Sequence, residues 1–350
     1  MKKKSDLNIT ISEKDVKLKI IDGVKAYAQL SAAVNKEGIL DRDYVFYTAH
    51  TSFILLGFFA TLAVIYFTQN LYIVTLLCLV FGFFAVQIAG LVHDAGHRTV
   101  FNSTKNNDLF GYFCSAFVVI PFSRWKTRHN AHHANPNEEG EDPDINIPVV
   151  SFTEEHLRSR SKFERSLLKY QAYIYYPILT LTAFAERNIQ FIFNGDYSLK
   201  KKNTVELILF IFGFCLWFVV PFLVFPFAKA AIVFLVSNLM TGFYIGNIFA
   251  PNHKGMPEVK KGVKLSFFEH QIITTRNVRG SKINDLVYMG LNYQMEHHLF
   301  PNCPRNKLKL ITPHLKKMCK QMGLEYTETG VIESNKIIVS ELNKIAAAAA

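Results

Sequence analysis

Four long apolar segments dominate the pattern of hydrophobic and polar positions along the chain. They lie at residues 49–67, 71–92, 205–225 and 230–252. Each has about the 20 residues that an α-helix needs to cross a bilayer. Short connections, 68–70 and 226–229, join the segments in pairs, so each pair is expected to form an antiparallel hairpin. The pattern predicts four transmembrane helices; the alternative is a soluble protein with a large buried core.

Two shorter aromatic stretches, 110–122 and 170–193, are too short or too polar to be assigned as further spans. We interpret both as interfacial segments that lie along the membrane surface. The alternative is a pair of re-entrant helices packed between the spans, which would need partners for their buried backbone groups.

Composition supports a membrane protein: 50% of the 350 residues are hydrophobic and 19% are charged, which excludes a disordered chain. The net charge is +11, from 39 Lys+Arg and 28 Asp+Glu. Only Lys229 falls in a connection, so 39 − 1 = 38 basic residues share the side of the termini and the central segment. The positive-inside rule places that side in the cytoplasm, and charges that flank spans favour a membrane surface over nucleic acid.

The five cysteines form no CxxC motif, so neither a disulfide framework nor a thiolate zinc site is expected. Histidine carries the stronger signal, because three short clusters hold seven of the 12 histidines. The clusters read HDAGH (93–97), HNAHH (129–133) and QMEHH (294–298). On a helix, spacings of three and four residues bring side chains to one face.

These clusters supply candidate metal ligands at the cytoplasmic end of the spans. The imidazoles are His93, His97, His129, His132, His133, His297 and His298, with Gln294 in the first place of the third cluster. His253, at the end of the fourth segment, lies level with them and extends the set. This number of ligands is larger than the four to six that one ion takes, and we therefore expect two ions.

The ligand type is compatible with zinc, copper or iron, since imidazole suits all three. The apolar surroundings favour iron, because a hydrocarbon substrate calls for a redox metal and O₂ to break an unactivated C–H bond. Asp94 and Glu296 lie within the clusters and either accept hydrogen bonds from ligand imidazoles or belong to a solvated helix face. We also place Asn252, next to His253, among the residues around the ligands.

In this order and at these separations, the three clusters resemble the histidine boxes of the membrane fatty acid desaturases. Gln294 in place of a first histidine is similar to the front-end subgroup of that family. The resemblance extends from the first hairpin to about Tyr326. It includes APNHKGM (250–256), TTRNV (274–278), GLNYQMEHHLFP (290–301), Pro304 and Leu308.

The resemblance implies a di-iron enzyme (Fe²⁺/Fe³⁺) that uses O₂ and two electrons to remove two hydrogens from a fatty acyl chain, giving a cis double bond. The substrate would be an acyl-CoA or an acyl-lipid. The implied iron ligands are His93, His97, His129, His132, His133, His253, His297 and His298, with Gln294 in a ninth place. No catalytic residue beyond these ligands is expected.

Many front-end enzymes carry a fused cytochrome b5 domain with an HPGG motif, and no such motif precedes Tyr47. We therefore expect electrons from a separate carrier of ferredoxin or cytochrome b5 type. Arg124, Lys126 and Arg128 beside the second cluster would attract an acidic carrier or bind lipid phosphates.

The expected architecture is an all-α integral membrane protein with four transmembrane helices in two hairpins and a cytoplasmic helical cap that holds a di-metal site. We divide the chain at 1–46, 47–92, 93–204, 205–252 and 253–345, and set 346–350 aside as a tag or as unassigned residues. An acyl or other lipid hydroxylase with the same histidine boxes is the alternative function, and a histidine-lined transporter is a remote one.

Overall fold

The computed structural model describes residues 13–145, 149–186 and 204–347. Almost all of its regular structure is helical, which confirms the all-α prediction. The helices are α1 Glu13–Lys36, α2 Tyr44–Phe67, α3 Leu71–Gly96, α4 Thr104–Val118, α5 Phe122–Ala134, α6 Glu154–Arg158, α7 Lys162–Leu168, α8 Gln171–Leu179, α9 Thr182–Glu186, α10 Thr204–Val224, α11 Phe227–His253, α12 Phe267–Thr274, α13 Lys282–Val287, α14 Gln294–Leu299, α15 Leu308–Met322 and α16 Val331–Ala347. Two short parallel strands, β1 Asn277–Val278 and β2 Glu328–Thr329, complete the described structure.

Four of these helices, α2, α3, α10 and α11, are long and apolar enough to cross a membrane. Their ends agree with those of the four predicted segments to within five residues. Asn70 caps α3 within the first connection, where its side-chain oxygen accepts hydrogen bonds from the N–H groups of Tyr72 and Ile73. The chain is therefore an integral membrane protein with two helical hairpins.

Lys229 does not lie in the second connection as expected, because α11 already begins at Phe227, directly after Pro226. Its ammonium donates hydrogen bonds to the carbonyl oxygens of Tyr66 (3.0 Å) and Thr68 (2.8 Å) at the end of α2. The last carbonyls of a helix have no partners within it, so a lysine is a suitable donor there. This contact connects the two hairpins at the end of the spans where both hairpin turns lie.

The third span, α10, contains a π-helical turn at Cys215–Val219. Pro221 lies two residues beyond it and lacks a backbone N–H, so one bond of the regular helical pattern cannot form. A local change to wider helical turns is a common response to such an interruption.

The stretch 110–122 packs against the spans, as the re-entrant alternative predicts. α4 packs against α3 and α10. The carbonyl of Phe117 accepts a 2.7 Å hydrogen bond from the indole of Trp217, near the middle of the third span. A side chain at Gly213 would overlap the carbonyl oxygen of Ala116. These contacts favour the re-entrant alternative, in which the indole supplies the partner that a buried backbone carbonyl needs.

The described part of the second aromatic stretch, 170–186, also packs between the spans, because α8 and α9 lie against α11. A side chain at Gly242, in the middle of the fourth span, would overlap the carbonyl oxygen of Thr180. These contacts favour the re-entrant alternative for this part as well. Residues 187–193 of the predicted stretch lie outside the described residues.

The cap is built around α1, α12, α14 and α15, which share one apolar cluster. The sequence pattern does not indicate helix α1 in the N-terminal segment, yet Leu30 and Val34 of this helix are buried against Ile311 and Leu315 of α15. None of the five cysteines forms a disulfide, as expected. Residues 346 and 347, which we had set aside, belong to α16, and 348–350 lie outside the described residues.

Candidate metal centre

Eight imidazoles converge at the end of the spans opposite the hairpin turns, and they form two adjacent groups. Within each group, the candidate ligand nitrogens all lie within 4.8 Å of one another. The five-histidine group contains His93, His97, His129, His133 and His297. The three-histidine group contains His132, His253 and His298. These are the eight histidines predicted from the sequence, and two groups are what two ions require.

Helix geometry explains how the chain sorts its ligands. Each of the two His-His pairs is divided between the groups: His132 and His298 belong to the three-histidine group, whereas His133 and His297 belong to the other. Neighbouring residues on an α-helix point about 100° apart, so an adjacent pair cannot easily serve the same ion. The rings of His133 and His298 stack with centroids 4.1 Å apart, so the two groups are in direct contact.

The nitrogen positions fit bound metal ions. Nε2 of His129 lies 2.9 Å from Nε2 of His97 and 3.1 Å from Nε2 of His133. Two ligands at right angles on an ion, each at about 2.1 Å, lie about 3 Å apart. In addition, Nε2 of His93 and of His297 are buried without a hydrogen-bond partner among the described residues. Buried polar atoms rarely stay unpaired, so these nitrogens are suited to a metal.

Five of the imidazoles are biased toward the neutral form that metal ligation requires. Burial, followed by repulsion from neighbouring imidazoles, lowers the pKa values of His97, His129 and His133 well below the usual range. The same two causes lower the pKa values of His297 and His298. Neutral rings keep the lone pair that binds an ion.

Asp142 orients His132, and sequence reasoning missed it. The Nδ1–H of His132 donates to the carboxylate of Asp142, whose oxygens lie 3.0 and 3.1 Å away. Asp142 also accepts hydrogen bonds from the backbone N–H groups of Asn137 and Asp144. Burial alone would raise the pKa of Asp142, but these hydrogen bonds and the imidazole lower it to about 2. The carboxylate therefore fixes the tautomer that presents Nε2 of His132 to an ion.

Gln271 is a second residue that the sequence did not indicate. Its amide oxygen accepts a 2.8 Å hydrogen bond from Nδ1–H of His298, and its amide nitrogen donates to the backbone carbonyl of His133 at 3.1 Å. Gln271 is completely buried on α12. A lone glutamine outside the histidine clusters gives no signal in the sequence, because its role depends on contacts between distant segments.

Gln294 lies beside the three-histidine group, as its place in the third cluster suggested. Its amide nitrogen is 2.9 Å from Nε2 of His253. Its amide oxygen accepts a 3.0 Å hydrogen bond from the side chain of Asn252, which holds the amide in this orientation. The oxygen is thus directed at Asn252 and away from the His253 ring.

The two acidic candidates differ in their surroundings, and both are buried, so a solvated helix face is excluded. Asp94 lies 3.5 Å from Nδ1 of His93 and forms a buried 2.6 Å ion pair with Arg305. The hydrogen bonds to the Glu296 carboxylate come from side chains of the cap and not from an imidazole, so that part of the prediction is wrong. The donors are Asn277, Thr312 and Tyr326.

A cavity of about 230 Å³ leads from the imidazoles into the span region. His93, His129, His132 and His253 line one end, together with Gln294. Apolar side chains of α3, α8 and α11 form most of the remaining wall; among them are Val86, Ala89, Leu179, Ile245 and Phe249. The apolar part of this lining suits a hydrocarbon chain.

The fold and the site define a membrane protein with two histidine groups able to hold metal ions at one end of its spans. The sequence model described as "Fatty acid desaturase" matches residues 70–330. The chain belongs to the fatty acid desaturase family.

Curated relatives agree with this assignment and with the front-end subgroup. The chain is 29% identical to an acyl-lipid (9-3)-desaturase of Physcomitrium patens, over 93% of this chain and 64% of that protein. It is 31% identical to a Delta(8)-fatty-acid desaturase of Euglena gracilis, over 69% and 60%, and 28% identical to a Delta(5) fatty acid desaturase of Caenorhabditis elegans, over 86% and 69%. The chain spans about three fifths of the length of the first two relatives.

Proposed function

We propose that the protein is a front-end desaturase that removes two hydrogens from a membrane-embedded fatty acyl chain and leaves a cis double bond. The observation that carries this proposal is the apolar cavity that ends at both histidine groups. In the balanced reaction, one O₂, two electrons and two protons combine with two hydrogens of the acyl chain to give two waters.

We assign the eight histidines as ligands of two iron ions, which would supply the oxidising chemistry needed to break an unactivated C–H bond. The chain itself contributes position and environment. Asp142 and Gln271 orient His132 and His298, and the apolar walls align the hydrocarbon and keep water away. Gln294 acts from outside the ligand set, since its amide oxygen is bonded to Asn252.

The proposal places the histidine groups and both termini on the cytoplasmic side, because the basic residues are concentrated there. A separate carrier would supply the electrons. Not all of the basic residues beside the second cluster are available to bind this carrier. Lys126 forms a 2.7 Å ion pair with Asp108, and Arg128 forms a 2.7 Å ion pair with Asp144.

The test uses the full chain purified in detergent, with iron content, O₂ consumption and lipid products measured together. We expect about two irons per chain, O₂ uptake that depends on acyl substrate and reduced carrier, and a product lighter by two hydrogens. A product heavier by one oxygen would support the hydroxylase alternative. Iron without any substrate-dependent O₂ uptake would refute both functions.

A further inference from the structure

A second, more polar opening adjoins the apolar cavity. This cleft has a volume of about 890 Å³ and lies between α11, α16 and the segment around Thr153. Asn137, His253 and Lys254 line both the cleft and the apolar cavity. These three residues therefore mark the junction at which a molecule that occupied both spaces would pass the metal groups.

Lys254 is the cation at this junction, and it retains bonding capacity. Its ammonium donates one 2.9 Å hydrogen bond to the backbone carbonyl of Asp144 and lies 4.7 Å from the ring centroid of Phe152. An ammonium carries three donors, so two of them are available for a ligand. Among the described residues, Lys254 has no carboxylate within 4.0 Å, and Asp144 itself pairs with Arg128.

The other two residues at the junction are already engaged in other interactions. The amide of Asn137 donates to the backbone carbonyl of His253 at 3.1 Å, and His253 belongs to the three-histidine group. Lys254 is consequently the side chain at the junction that is able to bind an oxygen of a substrate.

We propose that Lys254 binds the polar end of the acyl substrate, through a carbonyl or phosphate oxygen, and so determines which carbons reach the metal groups. This inference rests on the proposed function. Because Lys254 directly follows His253, the anchored end lies close to the ligands and the hydrocarbon extends into the apolar cavity. The carbons presented for oxidation are then those near the polar end of the chain, and their position is counted from Lys254.

The experiment compares Lys254→Met and Lys254→Arg in the full chain, reconstituted in phosphatidylcholine nanodiscs with a reduced carrier. A hydrogen bond to a charged group is typically lost at a cost of about ten- to hundredfold in binding. We expect Lys254→Met to raise KM by that factor and to convert one double-bond position into a mixture, with iron content unchanged. Lys254→Arg should restore a single position.

Lys316→Met is the matched control, since Lys316 also lies 4.7 Å from an aromatic ring centroid, that of Tyr326, but lines neither the cleft nor the apolar cavity. It should leave KM and double-bond position unchanged. A wild-type chain that forms no double bond would refute the proposed function. A wild-type chain that forms one, together with an unchanged KM and product position in Lys254→Met, would overturn the Lys254 proposal alone.

A second measurement on the unmodified chain covers the case in which Lys254→Met loses iron. An ether-linked phospholipid lacks the acyl carbonyl, and an acyl methyl ester lacks the phosphate. If Lys254 binds the carbonyl, the ether analogue should bind about ten- to hundredfold more weakly; if it binds the phosphate, the methyl ester should. Equal binding of both analogues and of the acyl phospholipid would overturn the proposal.

Discussion

Replacing Asp142 by Asn should release the ion held by the three-histidine group while the other group retains its own. The Asp142 side chain is buried and accepts the Nδ1–H of His132 at 3.0 Å, so solvent screens this contact very little. An asparagine is able to turn its NH₂ group toward Nδ1, which favours the tautomer that carries a proton on Nε2, where the ion should bind.

The size of the effect follows from the bond that is lost. A hydrogen bond to a charged group contributes about 1.5–3 kcal/mol, and about 1.4 kcal/mol corresponds to a factor of ten. The affinity of the three-histidine group for iron should therefore fall about 10- to 100-fold. This is the typical loss when the carboxylate that accepts a hydrogen bond from a metal-bound histidine is replaced. Activity should fall with the iron, because both groups line the substrate cavity.

The assay titrates the iron-loaded chain with a chelator and counts the iron that remains per chain. Asp142→Asn should show two separated steps, the first at about 10- to 100-fold less chelator than in the unmodified chain. Asp144→Asn is the control, because its carboxylate lies 3.8 Å from His132 Nδ1 and is 38% exposed. A chelator midpoint for Asp142→Asn equal to that of the control would refute the assignment.

Three further outcomes are expected. His298→Ala should lose iron and almost all desaturation in metal and product analysis, because water cannot replace a buried imidazole, and retained activity would exclude His298 as a ligand. Gln294→Ala should retain more iron than His298→Ala in the same metal analysis, since its amide oxygen faces Asn252; equal losses would contradict an outer position. Gly213→Val should destabilise the chain by at least about 1–3 kcal/mol in thermal unfolding, because its side chain would overlap the carbonyl of Ala116, and an unchanged transition would contradict that packing.

The sequence predicted the spans and the eight histidines because both depend on local regularities. A charge-free run of sufficient length has few alternatives to a transmembrane helix, and spacings of three and four residues bring imidazoles to one helix face. The division of the ligands into two groups also has a local cause in the two His-His pairs, whereas the spacing of the clusters predicts only the number of ions.

The remaining features depend on contacts between distant segments. Asp142 and Gln271 reach their histidines only after the loop behind α5 and helix α12 pack against the site. The position of α4 against the spans depends on the Trp217 indole as a partner for the carbonyl of Phe117. Composition alone does not distinguish such a helix from an amphipathic helix on the membrane surface.

The contact between Lys229 and the end of α2 fixes one end of the fourth span, so that the span can tilt about this end. Lys229 and His253 are 253 − 229 = 24 residues apart on α11, which is about 36 Å along the axis at 1.5 Å per residue. With the Lys229 end fixed as a pivot, a tilt of roughly 5° would displace His253 by about 3 Å. A gap between α3 and α11 would therefore open first on the side of the histidines and close toward the turns. Attachment of His253 to an ion would hold the far end of α11 in place, so the same ligand that builds the site would also keep α3 and α11 together around the cavity.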